Sequence, residues 1–342
     1  MTSQLSADYK VDHFQKKATV VGLVGAAVFL FAAVAPYIFA TDVTSAWIKL
    51  FYLISLATTW NLLAGYAGMV SVGQQAYIGL GAYGIFVFND MGLDPYSSVL
   101  VASVAVGIIA FPISYVAFRL RGGYFAIGTW VIAEATRQIV IRFDSLGSGR
   151  GRSITTYTED AIYRNLFTYW VALAIMGLAI VATFYLLRSR LGVALQSIRD
   201  NEVAAKSMGI KVSQTKRIVF VVAAMGAAAA GGIICLQGLG VASPNTIFGV
   251  NYSAFMIFMV LIGGIGTIEG PIIGAIIYFL MDYYFSQMGL WYMVVLGVLA
   301  ILIMLFLPRG VWGEISHRFN FKVFPVGHQV QPLFPGIKLK KK

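Results

Sequence analysis

Apolar stretches of about twenty residues recur along nearly the whole 342-residue sequence, separated by short polar turns, and this pattern narrows the fold more than any motif does. A helix of that length crosses the hydrocarbon core of a bilayer and satisfies every backbone N–H and C=O within itself. Ten crossings are expected, at about residues 18–40, 47–65, 70–88, 97–118, 123–142, 166–187, 217–239, 251–268, 270–286 and 290–307. Composition agrees, since 59% of residues are apolar and 11% charged, whereas about a quarter are charged in soluble domains. The expected fold class is an all-α integral membrane protein, a polytopic bundle of about ten transmembrane helices. Stretches 70–88 and 270–286 are short enough to be re-entrant or broken. The first stretch is too long for a signal-peptide core and lacks a convincing cleavage site, so it is expected to remain as the first helix.

Orientation follows from the basic residues. The longest polar interruption, residues 188–217, holds seven of them (Arg188, Arg190, Arg199, Lys206, Lys211, Lys216 and Arg217) against the acids Asp200 and Glu202. The positive-inside rule places it in the cytoplasm. Counting crossings outward from it puts both termini inside, with 19 Lys and Arg on the inner side and only Arg150, Arg152 and Arg164 outside. The chain then divides into a cytoplasmic segment 1–17, a membrane domain 18–307 that includes loop 188–217, and a basic cytoplasmic tail 308–342. Within the loop, residues 201–209 read as a short helix carrying Ala204 and Ala205 and stopping at Gly209. A compact helix of this kind suits docking into another protein.

Catalysis finds almost no foothold. No HExxH, GxSxG or paired-cysteine motif occurs, and the three histidines, His13, His317 and His328, all lie in the terminal segments. No metal centre is expected, and the lone Cys235 reads as a small core hydrophobe. The formal charge of +11 sits beside apolar stretches, where it sets orientation, so no nucleic-acid partner is expected. Gly79, Gly81 and Gly84 match a dinucleotide-binding spacing but lie inside an apolar stretch, where small residues let helices approach. No GxxxxGK[ST] motif is present, so transport driven by nucleotide hydrolysis would need a separate ATPase chain.

Polar groups inside the membrane are the remaining candidates. Glu134 and Arg137 stand three apart on one helix face and can neutralise each other, as a structural pair or as part of a path. Asn61, Ser71, Gln74 and Gln75 cluster around the turn Gly65-Tyr-Ala-Gly68 and read equally as path lining or as interhelical hydrogen bonds. Asp282, flanked by Tyr283 and Tyr284, reads as an interfacial acid, and Glu269 as a turn residue or a contact to a cytoplasmic partner. Arg150 and Arg152, set among glycines in the outer loop, are candidates for meeting an acidic surface or an anionic cargo.

Three ordered motifs carry a resemblance over about residues 47–313. Asn61-Leu-Leu-Ala-Gly-Tyr-Ala-Gly-Met-Val-Ser-Val-Gly-Gln-Gln-Ala-Tyr-Ile-Gly-Leu-Gly-Ala-Tyr83 resembles the N-terminal signature of the LivM-type permeases of bacterial branched-chain amino-acid ABC importers. Arg199-Asp-Asn-Glu-Val-Ala-Ala-Lys-Ser-Met-Gly-Ile210 is similar to their cytoplasmic EAA-like loop, and Ile262-Gly-Gly-Ile-Gly-Thr-Ile-Glu-Gly-Pro-Ile-Ile-Gly-Ala275 to their later glycine signature. The resemblance implies a multi-pass inner-membrane subunit that is not an enzyme. It also implies heterodimerisation with a LivH-type permease, two cytoplasmic ATPase subunits that hydrolyse ATP, and a periplasmic binding protein. No cofactor is then bound by this chain, and Arg199, Asp200, Glu202, Ala204, Ala205 and Gly209 become the ATPase-coupling residues. One departure is the outer loop Leu146-Gly-Ser-Gly-Arg-Gly-Arg-Ser153, which is basic where the family is polar and small. Other amino acids, urea, amides or small carboxylates therefore stay open as cargo. A stand-alone secondary carrier or channel is the rival class, disfavoured by the scarcity of unpaired acids in the membrane.

Overall fold

The computed structural model describes residues 9–12, 16–154, 160–319 and 329–332. Its helices are, in chain order, α1 (Lys16–Val34), α2 (Thr41–Asn61), α3 (Gln75–Asp90), α4 (Pro95–Ala117), α5 (Gly123–Ile141), α6 (Ala161–Arg188), α7 (Arg190–Asp200), α8 (Glu202–Ser207), α9 (Val212–Gln237), α10 (Pro244–Ile247), α11 (Asn251–Gly263), α12 (Glu269–Phe285), α13 (Leu290–Phe306) and α14 (Gly310–Phe319). Four short strands, β1 (Tyr9–Asp12), β2 (Arg152–Ser153), β3 (Val241–Ala242) and β4 (Gln329–Pro332), form two antiparallel pairs, β1 with β4 and β2 with β3. His13, His328 and most of the basic tail lie outside the described residues.

Each expected apolar stretch falls on a helix, but among the described residues six helical stretches are long and apolar enough to cross a membrane: Thr41–Tyr66, Pro95–Ala117, Ala161–Arg188, Val212–Gln237, Pro244–Gly263 and Val294–Arg318. The expectation of helix from residue 70 gives way to a start at Gln75, because Trp60 Nε1 donates to the Ser71 carbonyl at 2.8 Å and holds that backbone outside a helix. At 16 residues α3 measures about 24 Å, short of the roughly 30 Å core. Helix α11 ends at Gly263, five residues before the expected 268, because Gly264 takes φ +126°, a conformation no helix continues through. Three helix starts move outward by five or six residues instead: α2 begins at Thr41, α6 at Ala161 and α9 at Val212.

Helix α2 is the axis of the bundle. Ile48, Phe51, Leu53, Leu56 and Trp60 are all buried, and α6, α9, α11 and α12 surround it. At its end a π turn, Leu62–Tyr66, widens the helix, which leaves an irregular hydrogen-bond ladder where function often concentrates. Helix α9 in turn packs on α3 and α4. A Cβ on Gly81 would collide with the Ala228 carbonyl, and one on Gly231 with the Ile78 carbonyl, so α3 and α9 meet backbone to backbone. Gly79 lies under the Phe248 ring and Gly84 against Ala102. The dinucleotide-like spacing is therefore helix packing.

Hydrogen bonds sort the helix ends into two layers. In one, the Gln237 side chain donates to the Ser45 carbonyl at 2.8 Å, Tyr96 Oη to the Arg164 carbonyl at 3.4 Å, and Arg152 pairs with Asp90 at 2.6 Å. In the other, Arg217 donates to Ser114 Oγ at 3.1 Å and Arg199 to the Gly65 carbonyl at 2.7 Å. Loop 188–217 belongs to this second layer.

Candidate functional site

Loop 188–217 is folded. Ser189 ends α6 and caps α7, its Oγ accepting from the Leu191 N–H at 3.2 Å. Leu195 and Ile198 bury one face of α7 against the bundle. Asn201 then caps α8, its Oδ1 accepting from the Ala204 N–H at 3.0 Å. At the far end Gly209, with φ +83°, lets the Ile210 N–H reach the Ala205 carbonyl at 3.1 Å and the Gly209 N–H reach Lys206 at 3.0 Å. This is a Schellman stop, which a side chain at residue 209 would strain. Ala205 packs inward at 0% exposure, whereas Ala204, Asp200 and Glu202 are exposed, Glu202 accepting from Lys216 Nζ at 2.6 Å. Two residues absent from the sequence reading complete the surface: Val203 and Met208 are 77% and 69% exposed. A valine in the first turn of α8 and a methionine at its C-cap, both larger than the alanines between them, are the signal that would have found them.

Beside this loop the first and last glycine motifs meet. Asn61, 1% exposed, donates through Nδ2 to the Thr267 carbonyl at 2.8 Å and accepts from the Gly266 N–H at 2.9 Å. A Cβ on Gly65 would lie 2.6 Å from the Gly266 nitrogen, so these two backbones touch. The Arg199 guanidinium, from the loop, closes the third side through the Gly65 carbonyl. Arg309 and Gly310 abut Gly264, bringing the chain after α13 to the same place.

The other polar candidates separate. Gln75 accepts from Ser253 Oγ, which ties α3 to α11. Ser71 Oγ accepts from the Gly73 N–H at 3.3 Å, and Gln74 Nε2 is buried without a hydrogen-bond partner. These residues lie inside the bundle with Asn61. Glu134 and Arg137 stand apart on α5, bonded to each other, with Arg137 Nη1 donating to Asn245 Oδ1 at 2.6 Å and Gln138 to Glu134 at 3.0 Å. The Glu134 side chain is 50% exposed, and Trp130 and Val131, one turn before it on α5, are exposed as well. In the opposite layer, Arg152 is held by Asp90 and by the Ser145 carbonyl at 2.6 Å, while Arg150 is exposed. Asp282, read from sequence as an interfacial acid, forms an ion pair with Lys49 of α2. Sequence alone does not join them, because 233 positions separate the two. Among the described residues no cluster of His, Cys, Asp and Glu could hold a metal ion.

Among the described residues, apolar helices packed into a bundle and joined by one structured polar loop define a multi-pass membrane protein. Residues 43–305 match the family described as branched-chain amino acid transport system permease component, and the chain belongs to that family. It is 26% identical over 294 residues to the high-affinity branched-chain amino acid transport system permease protein LivM of Escherichia coli K12, covering 78% of this chain and 68% of that protein. It is 26% identical to the probable branched-chain amino acid transport permease LivM of Methanocaldococcus jannaschii, over 78% of this chain and 92% of the relative. The LivH permease of Salmonella typhimurium is 27% identical over 78% of this chain and 95% of its own length. No solved structure is a significant match.

Proposed function

We propose that this chain is the transmembrane subunit of a bacterial ABC importer, forming with a LivH-type permease the path for branched-chain or related amino acids delivered by a periplasmic binding protein. Two cytoplasmic ATPase subunits hydrolyse the ATP, and this chain binds no cofactor. The observation that carries the reading is the rigid, capped α8 with Val203 and Met208 outward, an apolar anchor in a polar rim that suits a protein partner. Ten crossings with both termini cytoplasmic fit the two layers of helix ends: residues 45, 90, 96, 152, 164 and 237 share one layer, and 65, 114, 199 and 217 the other.

In this reading the path runs along α5. A half-exposed carboxylate midway along an apolar helix is costly against lipid, so that face belongs to water or to the second permease. Asn61, Ser71, Gln74 and Gln75 brace the helices that frame the path, and Arg150 with Arg152 faces the binding protein at the entrance.

The test is uptake of labelled leucine into proteoliposomes carrying this chain with and without its partner subunits. ATP-dependent uptake that needs the ATPases and the binding protein is expected. Uptake by this chain alone, driven by an ion gradient, would replace the proposal with a secondary carrier.

A further inference from the structure

We propose that Arg199 is the positioning residue through which loop 188–217 sets the state of the π turn at the end of α2. The inference rests on the reading of that loop as the surface the ATPase moves. Its basis is a chain of contacts that joins three sequence-distant segments at one point. Arg199 leaves the last turn of α7, immediately before the capped α8, and its Nη1 donates to the Gly65 carbonyl at 2.7 Å. Gly65 lies inside the π turn Leu62–Tyr66, and its carbonyl is among the last of a helix, the groups that have no partner along the helix itself. Asp200 lies 3.7 Å from Arg199 Nε and is 73% exposed, so it competes weakly for the guanidinium.

On the other side of Gly65 the arrangement is rigid. Gly266 touches it backbone to backbone, and Asn61 pins Gly266 and Thr267 with two hydrogen bonds. A Cβ on Gly266 would sit 3.0 Å from Arg199 Nη1, so the guanidinium occupies the notch between the two glycine motifs. Of the three segments, the loop carries the most exposed apolar residues, Val203 and Met208 at 77% and 69%, against 44% for Ile265 in the α11–α12 turn. A push on α8 is therefore delivered to one carbonyl in the π turn, while the α11–α12 turn serves as the anvil. A π turn and an α turn differ by the register of one hydrogen bond, which makes the turn a discrete two-state element. Arg199 holds the π register by occupying the Gly65 carbonyl, and its withdrawal lets that carbonyl and α2 re-pair. Because α2 touches α6, α9, α11 and α12, a change of register there reaches most of the bundle.

The test uses the full transporter in proteoliposomes, with Arg199→Ala and Arg199→Lys beside wild type. Binding-protein-stimulated ATP hydrolysis and leucine uptake are measured on the same vesicles, together with ATPase co-purification. Expected for Arg199→Ala is a fall of about ten-fold or more in leucine transported per ATP hydrolysed, the shift one lost charge-assisted hydrogen bond supports. Arg199→Lys, which still offers a charged donor to the carbonyl, should recover part of the ratio. Amide exchange at residues 66–69 should rise in Arg199→Ala. A wild-type transport-to-hydrolysis ratio in Arg199→Ala overturns the inference alone, as does a parallel fall of both rates with complex yield. A wild-type chain that recruits no ATPase overturns the inference together with the reading beneath it.

Discussion

Replacing Asn61 with alanine should destabilise this protein far more than its single polar side chain would indicate. Asn61 is buried and makes two bonds, at 2.8 and 2.9 Å, both to backbone groups of the turn between α11 and α12. Truncation leaves the part-buried Gly266 N–H and Thr267 carbonyl without their partner, and each such group costs about 1–2 kcal/mol, the lower part of the range for an unpaired buried group. The methylene and amide volume removed adds a small cavity. A total of about 2–4 kcal/mol follows, which is roughly thirty-fold to several-hundred-fold in an equilibrium constant. Ser71→Ala is the matched comparison, because Ser71 is equally buried but its hydroxyl accepts only the Gly73 N–H, at a long 3.3 Å. It should cost under about 1 kcal/mol. Asn61→Asp keeps the acceptor for Gly266, loses the donor for Thr267 and buries a charge, so it should fall at or below Asn61→Ala. The assay is the half-life of the monodisperse chain in detergent at a fixed elevated temperature, followed by size exclusion. Equal half-lives for Asn61→Ala and Ser71→Ala would refute the argument that the amide clamps the two glycine motifs.

Three further outcomes are expected. Lys49→Met and Asp282→Leu should each lower folded yield, since either leaves an unpaired charge that costs up to about 2.5–3.5 kcal/mol at a helix centre and less toward its end, while the double substitution recovers much of the loss; additive single losses would show that the pair is not coupled. Val203→Asp with Met208→Asp should abolish co-purification of the ATPase without changing membrane insertion, and retention of the ATPase would remove α8 as the docking element. Glu134→Gln and Arg137→Gln should each slow uptake several-fold with ATPase assembly intact, and wild-type uptake kinetics in both would take α5 off the path.

Much of the scaffold is legible in the sequence, because a bilayer imposes one length and one pattern on every crossing element. The helices fall where the apolar stretches predict them, and α8 stops at Gly209 as its small-residue sequence implies. The errors have two causes: a tertiary contact from Trp60 holds Ser71 out of a helix, and the positive φ of Gly264 ends α11 early. Periodicity also cannot decide between path and brace for Asn61 or Gln75, since both readings call for a buried amide. The residues they bond to, Ser253 and Thr267, lie far along the chain, where no local pattern reveals them. Lys49 stays hidden for the same reason, as its length hydropathy absorbs the charge and its carboxylate comes from another helix.

The contact between α3 and α9 constrains how such a protein can move. With Gly81 seated on the Ala228 carbonyl and Gly231 on the Ile78 carbonyl, the two helices share a crossing point with no side chain to act as a cushion. Translating one along the other by a single residue would drive a neighbouring Cβ into a main-chain oxygen, so the joint permits pivoting and forbids sliding. An access cycle built on this chain is thus expected to resemble a scissor with its rivet at that crossing, the blades swinging while the rivet keeps its register.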